Sequence, residues 1–212
     1  MKNQEIINAL SYRYAVKIFD TSKKVSEDDL KTILESGRLS PSSLGLEPWK
    51  FIVVTNKDIR EKIRAVSHDQ TKITDASHLI VIAYRTDPEK LVSESIDRTS
   101  KIQNKNKEEL APLQKMLEGA VNGQIDTKMR EGWIKSQTYI PLGIMIETAA
   151  LLGIDACPME GFDKAQVDSI LGLNDKNLSV ATILTIGYRG DDAYANLPKV
   201  RRTYSEVVET IA

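Results

Sequence analysis

The chain has a single cysteine, Cys157, and only two histidines, His68 and His78, in 212 residues. One thiol excludes an internal disulfide framework and a zinc ribbon, and it fits a reducing compartment. Two histidines without companion cysteines offer no ordinary metal site, and His78, at the edge of an apolar run, reads as a structural residue. An excess of one charge sign is also missing: 29 basic residues face 30 acidic ones, a net charge of -1. No global field therefore draws nucleic acid or an anionic membrane, and any basic site must be local. Long apolar runs are absent too. The longest, Tyr139–Ile146, holds Pro141 and falls far short of the ~20 residues needed to span a bilayer. The opening MKNQEIINALSYRYA has no continuous apolar stretch of the secretory kind. These absences together read as a soluble cytoplasmic protein. Finally, there is neither a GxGxxG after a strand nor a GxxxxGK[ST], so a dinucleotide-binding βαβ unit and a P-loop are both unsupported.

What is present is enough chain for one α/β domain that buries roughly 70% of its extended surface. Ile6, Ile7 and Leu10 share a helical face, which predicts a short amphipathic helix over 3–12. Ser26 caps a second helix with the stripe Leu30, Ile33 and Leu34, and Gly37 is its expected stop. A turn with two prolines, Leu39–Pro48, opens into a strand over Trp49–Thr55, and residues 57–66 read as a helix. Leu79–Tyr84 is apolar at every position, as a central strand covered on both faces would be. From Asp87 to about Met129 the chain is highly charged with scattered leucines, which suggests exposed helices or a mobile excursion. Residues 131–152 read as one core or interface helix ending at Gly153, and Leu178–Tyr188 as a last long strand. Few strands among many helices predict an α+β three-layer α-β-α sandwich rather than a regular βαβ array. The organisation expected is one domain over 1–212, with a helical excursion at about 87–130 and a C-terminal arm at about 197–212.

Four clusters could hold a ligand: Arg13-Tyr14-Ala15-Val16-Lys17, Pro41-Ser42-Ser43, Cys157-Pro158-Met159-Glu160-Gly161-Phe162 and Pro198-Lys199-Val200-Arg201-Arg202. Each has a plainer explanation when taken alone. RYAVK can be a solvated helix end, PSS a turn, PKVRR a basic surface patch, and Pro158 and Gly161 the punctuation of a turn. Cys157 reads as buried and inert.

Taken together, RYAVKIFD, SPSSLGLEPWKFIVV, TDASHLIVIAY, LLGIDACPMEGFD and LPKVRR resemble, in order and spacing, the nitroreductase family of oxygen-insensitive NAD(P)H nitroreductases and dihydropteridine reductases. The likeness spans about 3–202 and is weakest between 87 and 130. It implies a central, mostly antiparallel sheet in an intertwined homodimer, bound FMN, and NAD(P)H as hydride donor. Small planar electron acceptors such as nitroaromatics, quinones, flavins or pteridines would be reduced by ping-pong transfer. Residue by residue, it implies that Arg13, Lys199 and Arg201 meet the FMN phosphate while Tyr14 and Ala15 touch the cofactor through backbone. Lys17 would approach the pyrimidine edge and Lys72 would lie near the flavin or acceptor. Pro41, Ser42, Ser43 and Leu44 would line the ring from the second subunit, and Pro158, Met159, Glu160 and Gly161 would run along it. Arg answers a phosphate dianion with a planar fork and Lys with a point charge. A cation about 4 Å from the reduced ring is worth on the order of 4 kcal/mol at an effective dielectric near 20, before desolvation. The flavin carries the hard step, so no catalytic acid, base or nucleophile of the protein is implied, and no metal.

Two positions depart from the family pattern. Asp69 stands where an asparagine usually bonds the pyrimidine, with Gln70 beside it; either Gln70 takes that role by a one-residue shift, or Asp69 makes the flavin harder to reduce. Residues 100–130 carry no aromatic side chain, where relatives often place one over the acceptor. A flavin-binding or sensing protein without rapid turnover, or another flavin reduction on the same fold, is the alternative reading.

Overall fold

A computed structural model describes residues 2–122 and 127–211. Residues 123–126 of the excursion, Met1 and Ala212 lie outside the described residues. Four strands, β1 (Trp49–Val54), β2 (His78–Arg85), β3 (Asp155–Met159) and β4 (Leu178–Gly187), form an antiparallel sheet in the order β1-β2-β4-β3. The two most apolar runs thus take the central places. In β2, Leu79, Val81 and Ala83 face one layer and Ile80 and Ile82 the other, the period-2 alternation of a strand covered on both sides. A bulge between Ile82 and Ala83 makes β4 skip Ala181 in the pairing, so Val180 and Ile183 end on the same face despite their odd separation.

The first layer packs Ile63 of α3 (Lys57–Ala65), Ile73 of α4 (Lys72–Asp75) and Val167 of α9 (Lys164–Leu171) on the sheet. The second packs Leu30 and Ile33 of α2 (Glu27–Arg38) with Leu142, Met145 and Ala149 of α8 (Tyr139–Leu151). The expected three-layer α+β architecture is what the chain adopts. α1 (Asn3–Tyr12) and α3 match their expected spans to within a residue, and Ser26 caps α2 by accepting from Asp29 N–H at 3.1 Å.

Four expectations are corrected. Gly37 does not stop α2, which continues to Arg38: it is buried, and a Cβ there would sit 2.7 Å from Met145 Sδ and 3.1 Å from Phe51 Cε2. Its role is close approach of α2 to α8. Residues 131–152 are two helices, α7 (Thr127–Gln137) and α8, broken at Thr138. Pro141 has no N–H to return to Gln137 and its ring crowds that carbonyl, so the chain restarts one turn earlier. For the segment from Asp87 the helical alternative holds and the mobile one gives way to packing: α5 (Pro88–Gln103) and α6 (Lys107–Asn122) enclose a core of Leu91, Val92, Ile96, Leu110, Leu117 and Val121 with Leu46. Last, β3 and α9 have no counterpart in the sequence reading. Pro158 pairs opposite Leu184 at the sheet edge, the position that tolerates a residue without N–H. Asp163 caps α9 by accepting from Gln166 N–H at 3.0 Å, and Gly172 ends it at φ 59°.

After β4 the arm folds back over the surface to α10 (Tyr204–Val207), which Thr203 and Glu206 cap reciprocally. Most of the arm is bare: Val200 is 87% and Ile211 91% exposed.

Candidate functional site

α1 ends at Tyr12, and Arg13 turns the backbone to an extended conformation (φ −65°, ψ 142°). The following residues run beside the edge strand, where Ala15 bridges Ala156 in parallel, and Phe19 then bridges Arg189. RYAVK is therefore not a solvated helix end but a partial fifth strand. What fixes it is Asp192, a residue the motif reading did not single out. One carboxylate oxygen accepts from Tyr14 Oη (2.8 Å), Lys17 N–H (2.8 Å) and Ile18 N–H (3.3 Å), and the other from Tyr194 N–H (3.0 Å). The residue is only 4% exposed. Burial works against its charge, but these donors outweigh it and hold the carboxyl below the ordinary range. Conversely, burial and the bond to Asp192 push the Tyr14 phenol up.

A second clamp lies alongside. Arg189 pairs with the buried Asp155 at the start of β3, with Nε to Oδ1 at 2.9 Å. The guanidinium of Arg189 stands 4.0 Å from the Tyr12 ring centroid and 4.7 Å from that of Tyr14.

The arm closes this region. Lys199 Nζ donates to the carbonyl of Leu10 at 3.1 Å and to that of Arg13, joining PKVRR to RYAVK. The result is a cleft of about 390 Å³ walled by Arg13, Lys17, Tyr194, Pro198, Lys199 and Arg201. Burial depresses the Arg13 guanidinium, and Arg201 adds to the effect; burial, then Arg13 and Arg201, depress Lys199. Like charges are thus held together, and the wall carries no carboxylate among the described residues. Arg13 Nε is buried without a hydrogen-bond partner among the described residues. An unmet cationic donor in a cleft of its own sign calls for an external dianion. The chain's residues fit a phosphate.

The strip of β3 that continues the cleft holds Cys157, which lies beside Lys72, Lys17 and Arg13; burial pushes its thiol up, leaving an inert packing residue. Lys72 opens α4, on the same side of the edge strand. Beyond Met159 the chain passes Glu160, whose carboxylate accepts from Tyr139 Oη at the start of α8. Burial and Glu160 push that phenol up to about 12. At Gly161 the carbonyl accepts from Gln70 Nε2 at 2.9 Å, and a Cβ there would come within 3.3 Å of the same atom. His68 and Asp69 both take left-handed conformations (φ 55° and 51°) to bring Gln70 in. Asp69 itself points away: its carboxylate is 80% exposed and pairs with Arg64 Nε at 2.7 Å. Of the two adjacent candidates, Gln70 is the one that touches the Pro158–Gly161 strip.

The fourth motif lies apart. Ser42 Oγ accepts from Glu47 N–H at 2.8 Å, and Ser43 N–H donates to Gln137 Oε1 at 2.8 Å, while Pro41 and Leu44 are exposed at the turn. These contacts tie the segment to the end of α7 rather than to the basic cleft of the same chain. Asp155, Asp192 and Gln137 are the positioning residues the motifs missed. Only the placement of Asp192 between RYAVK and LPKVRR hints at its part.

The antiparallel sheet, its two helical layers and the basic edge define a nitroreductase-type fold. A crystal structure described as a "putative nitroreductase" of Bacillus subtilis superposes with a TM-score of 0.87 at 21% identity, covering 99% of this chain and 100% of that one. Another so described, from Exiguobacterium sibiricum in complex with FMN, gives 0.81 at 20% identity, covering 100% and 98%. The nitroreductase family model matches residues 10–188. A Staphylococcus aureus N315 protein named "Putative NAD(P)H nitroreductase" is 40% identical over 220 residues, 99% of this chain and 96% of the relative. One from Staphylococcus saprophyticus is 39% identical over 217 residues, 97% and 96%. The chain belongs to the nitroreductase family.

Proposed function

We propose that the protein is an FMN-dependent NAD(P)H oxidoreductase that works as a homodimer and reduces small planar acceptors, nitroaromatics, quinones, flavins or pteridines, by a ping-pong sequence. The observation that carries the reading is the buried Arg13 Nε, unpartnered among the described residues, in a cleft where Lys199 and Arg201 add charge and no described carboxylate lines the wall. The FMN-bound structural neighbour and the NAD(P)H nitroreductase names of the relatives support it. Arg13, Lys199 and Arg201 bind the phosphate; Tyr14 and Ala15 present backbone; Lys17 and Lys72 place cations beside the strip Pro158–Met159–Glu160–Gly161. Gln70, fixed on the Gly161 carbonyl, takes the polar role beside that strip, and Asp69, engaged with Arg64, does not. When bound, FMN supplies the two-electron relay.

What one chain leaves open supports the dimer. Pro41, Ser42, Ser43 and Leu44 do not reach their own chain's cleft, and α1 presents Ile7, Leu10 and Tyr12 to the exterior beside the bare arm. A partner covering these faces brings each Ser42–Ser43 turn to the other chain's strip.

The test is an absorbance spectrum of the purified protein, before and after anaerobic addition of NADPH or NADH. Flavin bands that bleach support the reductase and identify the donor. Bound flavin that stays oxidised favours a binding role, and no flavin uptake from added FMN overturns the reading.

A further inference from the structure

A second cavity, of about 350 Å³, opens at the other end of the sheet, where β2 ends at Tyr84 and Arg85 and β4 begins near Ser179. Ser179 and Ile186, the partner of Ala156 beside the basic cleft, are seven residues apart on β4, roughly 23 Å at ~3.3 Å per residue. The two cavities share no lining residue among those described. The volume is of the size that small organic ligands occupy.

Its polar groups are unevenly satisfied. Asp168 is buried and answered within the chain: Ser179 Oγ and Val180 N–H (2.7 Å) donate to it, and Lys164 Nζ lies 3.6 Å away. Tyr84 spends its proton on Glu131. Burial and that bond push the phenol up, so it stays a neutral donor. Arg85 is engaged outside the cavity by Asp87 and Glu94. Two cationic groups on the wall keep unspent donors. Arg130 pairs through Nη1 with Glu89 at 2.8 Å, but its Nε is buried and meets no acceptor among the described residues. The Lys164 ammonium is ion-paired with Asp168 at 3.6 Å, beyond hydrogen-bond reach, and stands 5.6 Å from the Tyr84 ring centroid, so it has donors left over. Between them, Ile134, Pro88 and the Tyr84 ring supply apolar surface. Glu89, Glu131 and the buried Asp168 line the same cavity and disfavour a second negative charge.

The geometry points to a second ligand site, separate from the basic cleft, that takes a small monocarboxylate with a compact apolar body, its oxygens meeting the Arg130 guanidinium and Lys164 Nζ. A planar aromatic acid could also stack at a flavin, so the probe is cyclohexanecarboxylate, which is not flat. Isothermal titration of the full chain, with excess FMN throughout, should show one site per chain. Lys164→Met and Arg130→Gln should each weaken it by about tenfold or more, the loss of one charge-assisted hydrogen bond. Arg13→Ala, which strikes the other cleft, should leave it unchanged whether or not FMN is retained. Lys164 is half exposed, so its variant keeps the test open if Arg130→Gln fails to fold. No heat of binding, or unchanged affinity in a folded Lys164→Met protein, overturns the site. Inorganic phosphate binding as tightly as the probe overturns its assignment to monocarboxylates.

Discussion

Replacing Asp192 by alanine removes a buried carboxylate that accepts from one phenol and three backbone N–H groups. A buried donor left without its partner costs about 1–3 kcal/mol. The donors are neighbours and water enters the space, so their losses do not add fully; a total of about 3–5 kcal/mol is expected, a large share of a domain's stability. Because the same carboxylate fixes Tyr14 and Lys17, and the turn after it leads into Lys199 and Arg201, FMN retention should fall with stability. Asp192→Asn keeps the volume and separates the two effects. Its amide oxygen can still accept from part of the set, so the fold should survive at a smaller loss while the cleft loosens. Urea unfolding gives the stability, and quenching of free flavin fluorescence on binding gives the affinity. The pH dependence supplies an independent check. The Asp192 carboxyl is depressed in the folded chain, so its stabilisation is complete above the ordinary carboxylate value, roughly 3.9, and is lost as pH falls from there through the folded value. The native protein should therefore lose more stability across that acidic window than Asp192→Asn does. Parallel pH curves for the two proteins, with unchanged FMN affinity in the variant, would refute the reasoning.

Three further outcomes can be checked. Gly37→Ala drives a methyl into Met145 and Phe51 and should cost about 1–3 kcal/mol in urea unfolding despite alanine's better helix propensity; a gain would show that α2 and α8 can part. Arg201→Ala should weaken FMN binding by about 1.5–3 kcal/mol, read by fluorescence titration, and unchanged affinity would remove this residue from the phosphate set. Asp69→Asn should leave the flavin reduction potential within error, since its carboxylate faces Arg64 and solvent; a clear rise in potential would place the side chain at the ring instead.

The central sheet was legible because its strands carry their burial in the sequence: Leu79–Tyr84 is apolar at every position and Leu178–Tyr188 is apolar but for small or hydroxyl residues, as strands covered on both faces require. The edge strand β3 was not, because five residues that include Asp155 and Pro158 look like turn chemistry until a partner strand is known. Asp163 and Gly172 carry the cap chemistry of α9, but no helix was read between them. Periodicity could not locate the break at Thr138, since both sides are apolar and only Pro141 marks it. The charged excursion concealed its core because its apolar residues are scattered over α5 and α6 and meet only when the two pack. At the site, the basic residues were legible as motifs. Their supports were not: Asp192, Asp155 and Gln137 act through contacts across as many as 178 positions, which no local pattern encodes.

The bond between Lys199 and the Arg13 carbonyl spans 186 residues. At about 5–20 residues per second, synthesis leaves Arg13 waiting roughly ten to forty seconds for the lysine that completes its surroundings. The sheet can assemble in that interval, whereas the basic cleft forms only when the tail returns. Cleft completion is therefore a late event in the life of the chain, and a polypeptide cut short after Asn196 would keep the Arg189 and Asp192 clamps while lacking one wall of the cleft.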